Sequence, residues 1–289
     1  MYQKIVKSAV LISLLLVNIG FTKEKNSWIR EGIKGKVKSY TQITFNPQKI
    51  SEKIKLSDKK CEMLWCIKTY FSDDGNITKK IHYYPKWDNT ETIYKYNSNN
   101  QIVSSETYEI DDPYKFMSMD RWHYQYDNKG NNIGKIHYYG PQTIAYTSTF
   151  DDKGNEIMTI VENNDDLLRS NFKRKFTYKY DNANNQIEEK KYNDSDEAWV
   201  SKNIDIYNSL NKKVESKFFD KTNKMKYRFT YSYDNKGNMI QFNYYEADGK
   251  LYEKTVYKYD RKGNIIKSTR YKNGNVPIEI IEWKYEYYE

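Results

Sequence analysis

The chain has 289 residues, of which 38% are hydrophobic, 30% charged and 16% aromatic, and 30 are tyrosine. Five prolines and this aromatic load exclude collagenous and Pro-rich disordered classes and point to a folded, β-rich protein. Three histidines and two cysteines leave little material for a metal or cysteine site, and no cofactor is expected.

Residues 1–22 read as a secretory signal peptide: Lys4 and Lys7 precede an apolar run from Ala9 to Val17 that continues to Phe21, after which Lys23-Glu24-Lys25-Asn26 turns to charge. The run is shorter than the roughly twenty residues needed to span a bilayer. Gly20 and Thr22 half meet the small-residue cleavage rule, so an uncleaved anchor is the alternative. No later segment is apolar enough to span, and the expected product is secreted, periplasmic or at the cell surface. Taking Lys4 and Lys7 off the net charge of +9 leaves +7. Signs alternate along the chain, as in Ile187-Glu188-Glu189-Lys190-Lys191, so a solvated strand face is expected and nucleic acid is not. For an exported chain, an anionic glycan or an envelope surface is the expected electrostatic partner.

Residues 23–68 read as N-terminal strands joining the sheet. Val37, Ser39, Thr41, Ile43 and Phe45 alternate with Lys38, Tyr40, Gln42 and Thr44 as a first strand ending at Asn46-Pro47. Ile50, Ile54 and Leu56 suggest a second. Cys61, Met63, Trp65, Ile67 and Phe71 then alternate with Glu62, Leu64, Cys66, Lys68 and Tyr70. On one strand, residues five apart lie about 16 Å apart and face opposite sides, whereas a disulfide needs Cα atoms within about 7 Å. Two unbonded cysteines are therefore predicted.

From residue 69 to 289 the chain repeats. Tyr126-Asp127-Asn128-Lys129-Gly130-Asn131 recurs as Phe150-Asp151-Asp152-Lys153-Gly154-Asn155, Tyr233-Asp234-Asn235-Lys236-Gly237-Asn238 and Tyr259-Asp260-Arg261-Lys262-Gly263-Asn264. Weaker copies start at Phe71, Tyr96, Tyr180 and Tyr207, and the eight aromatic markers are spaced 25, 30, 24, 30, 27, 26 and 26 residues apart. Further copies at Phe219 and Tyr245 split the last units in two. Each unit is thus a pair of strands and two turns. The position closing each turn holds only Gly or Asn, the residues that tolerate positive φ. An EF-hand calcium loop needs alternating oxygens and a terminal glutamate, which are missing. Between turns the period is two: Tyr227, Phe229, Tyr231 and Tyr233 share one face, Lys226, Arg228, Thr230 and Ser232 the other. The prediction is one all-β domain: an antiparallel β-hairpin array of about sixteen strands, forming an extended or curved meander sheet with little helix.

The phrase Tyr-x-Tyr-Asp-x-x-Gly-Asn at Tyr124 to Asn131, Tyr231 to Asn238 and Tyr257 to Asn264 resembles the YD repeat, or RHS repeat, of exported bacterial proteins. The resemblance covers roughly Thr69 to Lys272 and is specific for architecture. It implies hairpins that, in long members, wind into a β-shell enclosing a toxin or enzyme. This chain looks more like the short, repeat-only relatives described as carbohydrate-binding.

No nucleophile elbow, His-Glu-x-x-His or phosphate-cradling loop is present, and His82 and His137, at equivalent repeat positions, read as structural. No catalytic or metal-ligating residue is assigned. The predicted function is a binding or scaffold protein of the bacterial envelope, with a glycan or an envelope protein as partner. The alternatives are assembly by self-association through sheet edges and a carboxylate-based glycan-active enzyme. Trp87 and Trp199, in segments that interrupt the repeat, are the candidate ligand-binding residues.

Overall fold

The computed structural model describes residues 27–45, 65–84, 88–110, 120–140, 142–164, 172–193, 198–273 and 275–289. The expected signal segment, the strand around Ile50 to Leu56, Cys61 and Trp87 lie outside the described residues. A single helical turn, α1 (Ser27–Arg30), precedes eighteen strands. The first is β1 (Val37–Phe45), as expected from its alternation. The first half of the repeats gives β2 (Trp65–Phe71), β3 (Ile77–Tyr83), β4 (Thr90–Tyr96), β5 (Ile102–Glu109), β6 (Asp120–Tyr126), β7 (Asn132–Tyr139), β8 (Gln142–Phe150) and β9 (Glu156–Asn164). The second half gives β10 (Phe172–Tyr180), β11 (Gln186–Asn193), β12 (Trp199–Tyr207), β13 (Lys213–Asp220), β14 (Met225–Tyr233), β15 (Met239–Glu246), β16 (Leu251–Tyr259) and β17 (Ile265–Lys272). β18 (Val276–Tyr287) ends the sheet.

Every strand pairs antiparallel with its neighbour in sequence, and β18 pairs with β1, Tyr285 opposite Tyr40. The sheet is therefore a closed barrel, which corrects the expectation of an extended or curved meander sheet. Eight marker turns make eight hairpins, β2 to β17. The flanking strands β1 and β18 then raise the count to eighteen and, being antiparallel, meet each other. Closure also leaves none of these strands with an unpaired edge, so self-association through sheet edges loses its geometric basis.

The turn phrase has a local cause. In Asp127 to Asn131 the amide of Gly130 bonds the Asp127 carbonyl at 3.1 Å, and the amide of Asp127 bonds the Asn131 carbonyl at 3.0 Å. One Asp127 carboxylate oxygen accepts the amides of Lys129 and Asn131, and the other accepts the Asn131 side-chain amide. The chain can reverse this sharply only with a left-handed residue, and Gly130 has φ 88°. Asn fills the same position at Asn100, Asn184, Asn211 and Asn223, all with positive φ.

The aromatic that opens the phrase has a second task. Tyr96, Tyr126, Tyr180, Tyr207, Tyr233, Tyr259 and Tyr285 each donate their hydroxyl to a backbone carbonyl of the preceding hairpin, at Ile77, Ile102, Glu156, Gln186, Lys213, Met239 and Ile265 respectively. Each acceptor is the first strand residue after a marker turn, where the register slips by a bulge in every hairpin from β2–β3 to β16–β17. The equivalent residue of β6–β7, Asn132, has no such tyrosine because the next marker aromatic is Phe150, which carries no hydroxyl. The tyrosines thus fasten hairpin to hairpin around one rim.

The seam is clipped from within by the N-terminal segment. Trp28 is buried, its indole N–H donating to the Val37 carbonyl at 2.8 Å and its amide to Gly75 at 3.1 Å. Lys34 and Asn264 exchange two hydrogen bonds, joining this segment to the β16–β17 turn.

In β6 the residues Arg121, His123 and Gln125 are exposed, while Asp120, Trp122, Tyr124 and Tyr126 are half-buried on the concave side. The aromatic face of β6 therefore points inward, as does that of β14 with buried Phe229, while single aromatics such as Tyr138 and Tyr245 lie on the outer side. Eighteen strands spaced about 4.8 Å apart and tilted by the usual ~40° close at a diameter of roughly 35 Å, far beyond the ~10 Å at which two sheets pack face to face. Among the described residues, ring contacts between strands reach no further than the next-but-one strand, as from Trp122 in β6 to Tyr146 in β8. At that width the side chains of the described wall do not fill the barrel.

Its outer face is charged and laced by cross-strand ion pairs, among them Lys79–Glu91, Lys173–Glu162, Lys179–Glu188, Arg228–Glu215 and Lys267–Glu282. Among the described residues no helix is long and apolar enough to cross a membrane. For a barrel the outer face is the telling one: a membrane-spanning barrel turns an apolar band outward and polar residues inward, the reverse of this arrangement.

Candidate functional site

The interior wall is hollowed between β6 and β11, where a cavity of about 660 Å³ opens. It follows from the period-two pattern: every second residue of six adjacent strands faces the same concavity. Tyr124, Tyr146, Phe176 and Tyr178 form its apolar surface, and Lys135, Glu156, Arg174 and Glu189 bring charge.

Hydrogen bonds fix much of the polar lining. The Glu156 carboxylate accepts from the Ser148 hydroxyl at 2.7 Å and from the Thr159 hydroxyl, which in turn accepts from Tyr178 at 3.2 Å. Beside the cavity Trp122 and His137 stack with centroids 4.1 Å apart and planes 6° apart, and His137 Nε2 lies 2.9 Å from Asp120. The Lys135 ammonium stands 4.5 Å from the Tyr146 ring centroid and 5.5 Å from that of Trp122. Burial pulls its pKa down. Burial, with the Asp205 charge behind it, pushes the Glu189 carboxyl up. Chemically the wall offers flat aromatic faces flanked by oriented hydroxyls and charges, which suits a ligand with both apolar C–H faces and many hydroxyls.

Of the tryptophans singled out from the sequence, Trp87 lies outside the described residues and Trp199 is not among the residues lining this cavity. Trp199 is the first residue of β12 rather than part of a turn, a correction: the repeat-breaking segment ends one residue earlier and the strand takes the indole. Its ring lies under the Lys202 ammonium at 5.0 Å, on the outer side where Lys202 faces Phe219 and Lys190. His82 and His137 both face inward, and burial, then the Lys80 charge, lowers the His82 pKa. The cavity residues were missed, although Arg174 sits within the aromatic alternation of Phe172, Phe176, Tyr178 and Tyr180, a charge on a face that otherwise excludes it.

The cysteines are likewise corrected. Cys66 is buried and disulfide-bonded, and Cys61 is the chain's other cysteine. The expectation assumed one strand running through both, but Cys61 lies outside the described residues and a disulfide holds its Cα atoms within about 7 Å, which strand spacing does not allow. Among the described residues no cluster of three His, Cys, Asp or Glu is placed to hold a metal ion.

No protein-family model and no curated protein matches the chain. Among solved structures it is similar to a porin-like protein from Bacteroides uniformis, with 7% identity and a TM-score of 0.46, covering 86% of this chain and 98% of that one. A porin-like protein from Bacteroides vulgatus matches 58% of this chain and 97% of its own at 13% identity and a TM-score of 0.35. The Photorhabdus luminescens Tc holotoxin pore matches 83% of this chain at 12% identity and a TM-score of 0.35, and the chain spans only 14% of that one. At such scores no neighbour's role carries over.

Proposed function

We propose that the protein is an exported, water-immersed β-tube of the bacterial envelope, a short repeat-only chain of the YD type, whose inner wall binds carbohydrate. The observation that carries this is the open concavity of β6 to β11, where Tyr124, Tyr146, Phe176 and Tyr178 offer ring faces beside hydrogen-bonding groups. Two features support the setting. The charged outer face suits water rather than lipid. A disulfide at Cys66 suits an oxidising compartment. Screening the purified protein on a glycan array tests the reading: saturable binding to a defined sugar class, abolished by Tyr146→Ala, is expected, and an array without a single binder overturns it.

A carboxylate-based glycan hydrolase is the second reading, favoured by one observation: Glu156 and Glu189 line the same cavity and burial raises the Glu189 pKa, as in a general acid. Release of reducing ends from a bound glycan, lost in Glu189→Gln, selects this reading over binding alone.

A further inference from the structure

Several cations on the inner face are neutralised. Arg270 lies 3.2 Å from both Glu253 and Glu279, Lys213 lies 2.5 Å from Asp205, and Lys80 lies 3.2 Å from Glu31. Lys135 and Arg174 are not neutralised in this way. Their cationic groups rest on rings, Lys135 on Tyr146 at 4.5 Å and Arg174 on Phe172 at 4.2 Å, and among the described residues neither has an ion-pair or hydrogen-bond partner. Both line the cavity.

They also share one cross-strand row. Lys135 faces Tyr146, Tyr146 faces Val161, and Val161 faces Arg174. Three interstrand steps separate the two backbones by roughly 14 Å. That is wider than one sugar ring. A third cation, Lys191, stands diagonal to Arg174, and its pKa is lowered by burial and then by the Arg174 charge. Glu156 and Glu189 lie nearer the marker-turn rim than this row, and hydroxyls already occupy Glu156.

We infer that the cavity takes an oligosaccharide bearing carboxylates, an oligouronide, whose acid groups meet Lys135 and Arg174 while its ring faces lie on the aromatics between them. This rests on the carbohydrate-binding reading above. The physical case is that a cation without a close ion-pair partner gains a charge-assisted hydrogen bond when a carboxylate arrives, the more so at half-buried Lys135. The ring faces beneath the two cations hold them in place for it.

Isothermal titration with three probes tests the inference: hexagalacturonate, neutral maltohexaose and hexaglutamate. Hexagalacturonate is expected to bind about tenfold or more tightly than either of the others. Its affinity falls with added salt, because the contact is ionic. Lys135→Met and Arg174→Gln each weaken it by about tenfold with the melting temperature kept, and Lys135→Arg, which keeps the charge, retains it. Equal binding of maltohexaose, untouched by salt and by these variants, overturns the inference and leaves the carbohydrate reading standing. Equal binding of hexaglutamate overturns it too, since the sugar rings then contribute nothing. If no carbohydrate binds, both readings fall together.

Discussion

The YD phrase is a set of side-chain tasks. The tyrosine hydroxyl reaches a bulged carbonyl one hairpin back, so Tyr233→Phe removes the bond to Lys213, 2.7 Å long, while keeping the ring. A loss of about 1 kcal/mol is expected in urea unfolding. Phe150, the phrase's one aromatic in β8 without a hydroxyl, supplies the converse: Phe150→Tyr should stabilise or leave stability unchanged. The aspartate's task is electrostatic. Hydrogen bonds from the Asn155, Asn185 and Asn238 side chains and from turn amides hold the pKa values of Asp151, Asp181 and Asp234 below their ordinary value of 3.8. The folded pKa being the lower one, the unfolded chain binds more protons as pH drops. The stabilisation is full above the ordinary value and is lost as pH falls through the folded one. Urea midpoints should therefore decline below about pH 4, and Asp151→Asn should flatten part of that decline. A midpoint that rises there contradicts the turn electrostatics.

At the level of the element, the disulfide at Cys66 tethers the start of β2, and a short loop of this kind contributes roughly 2 kcal/mol. Reduction should lower the urea midpoint by a corresponding amount, and mass spectrometry of the non-reduced, alkylated protein should show a two-dalton deficit with neither cysteine labelled. Hairpins were legible in the sequence because their signals are local: φ-tolerant residues at Gly130, Gly154, Gly237 and Gly263, with an aspartate four residues before the asparagine. The first strand was legible from its alternation. The closing pair was not, because Tyr40 and Tyr285 are far apart in sequence and nothing local to either names the other. The cysteine reading failed for a related reason: alternation from Cys61 to Tyr70 reads as one strand, and nothing local to it signals the disulfide at Cys66. The cavity was half legible: Arg174 interrupts an aromatic face, but Lys135 meets Tyr146 and Trp122 only through pairing register.

For the molecule as a whole, inward aromatics and outward charge are what the tube's chemistry depends on. Eight hairpins and two flanking strands make a wall too wide to fill its own interior, so rings that bury a face in an ordinary β-protein here stay half open to a lumen. The central claim is that this inner face, not the outer one, holds the ligand. Tyr146 and Tyr138 allow a direct comparison, since they lie on the neighbouring strands β8 and β7, the first inside against Lys135 and the second outside under Arg121. Titrating hexagalacturonate into Tyr146→Ala and Tyr138→Ala is the most direct measurement. Loss of binding in the first and full retention in the second is the predicted result, and retention in the first with loss in the second would contradict the account.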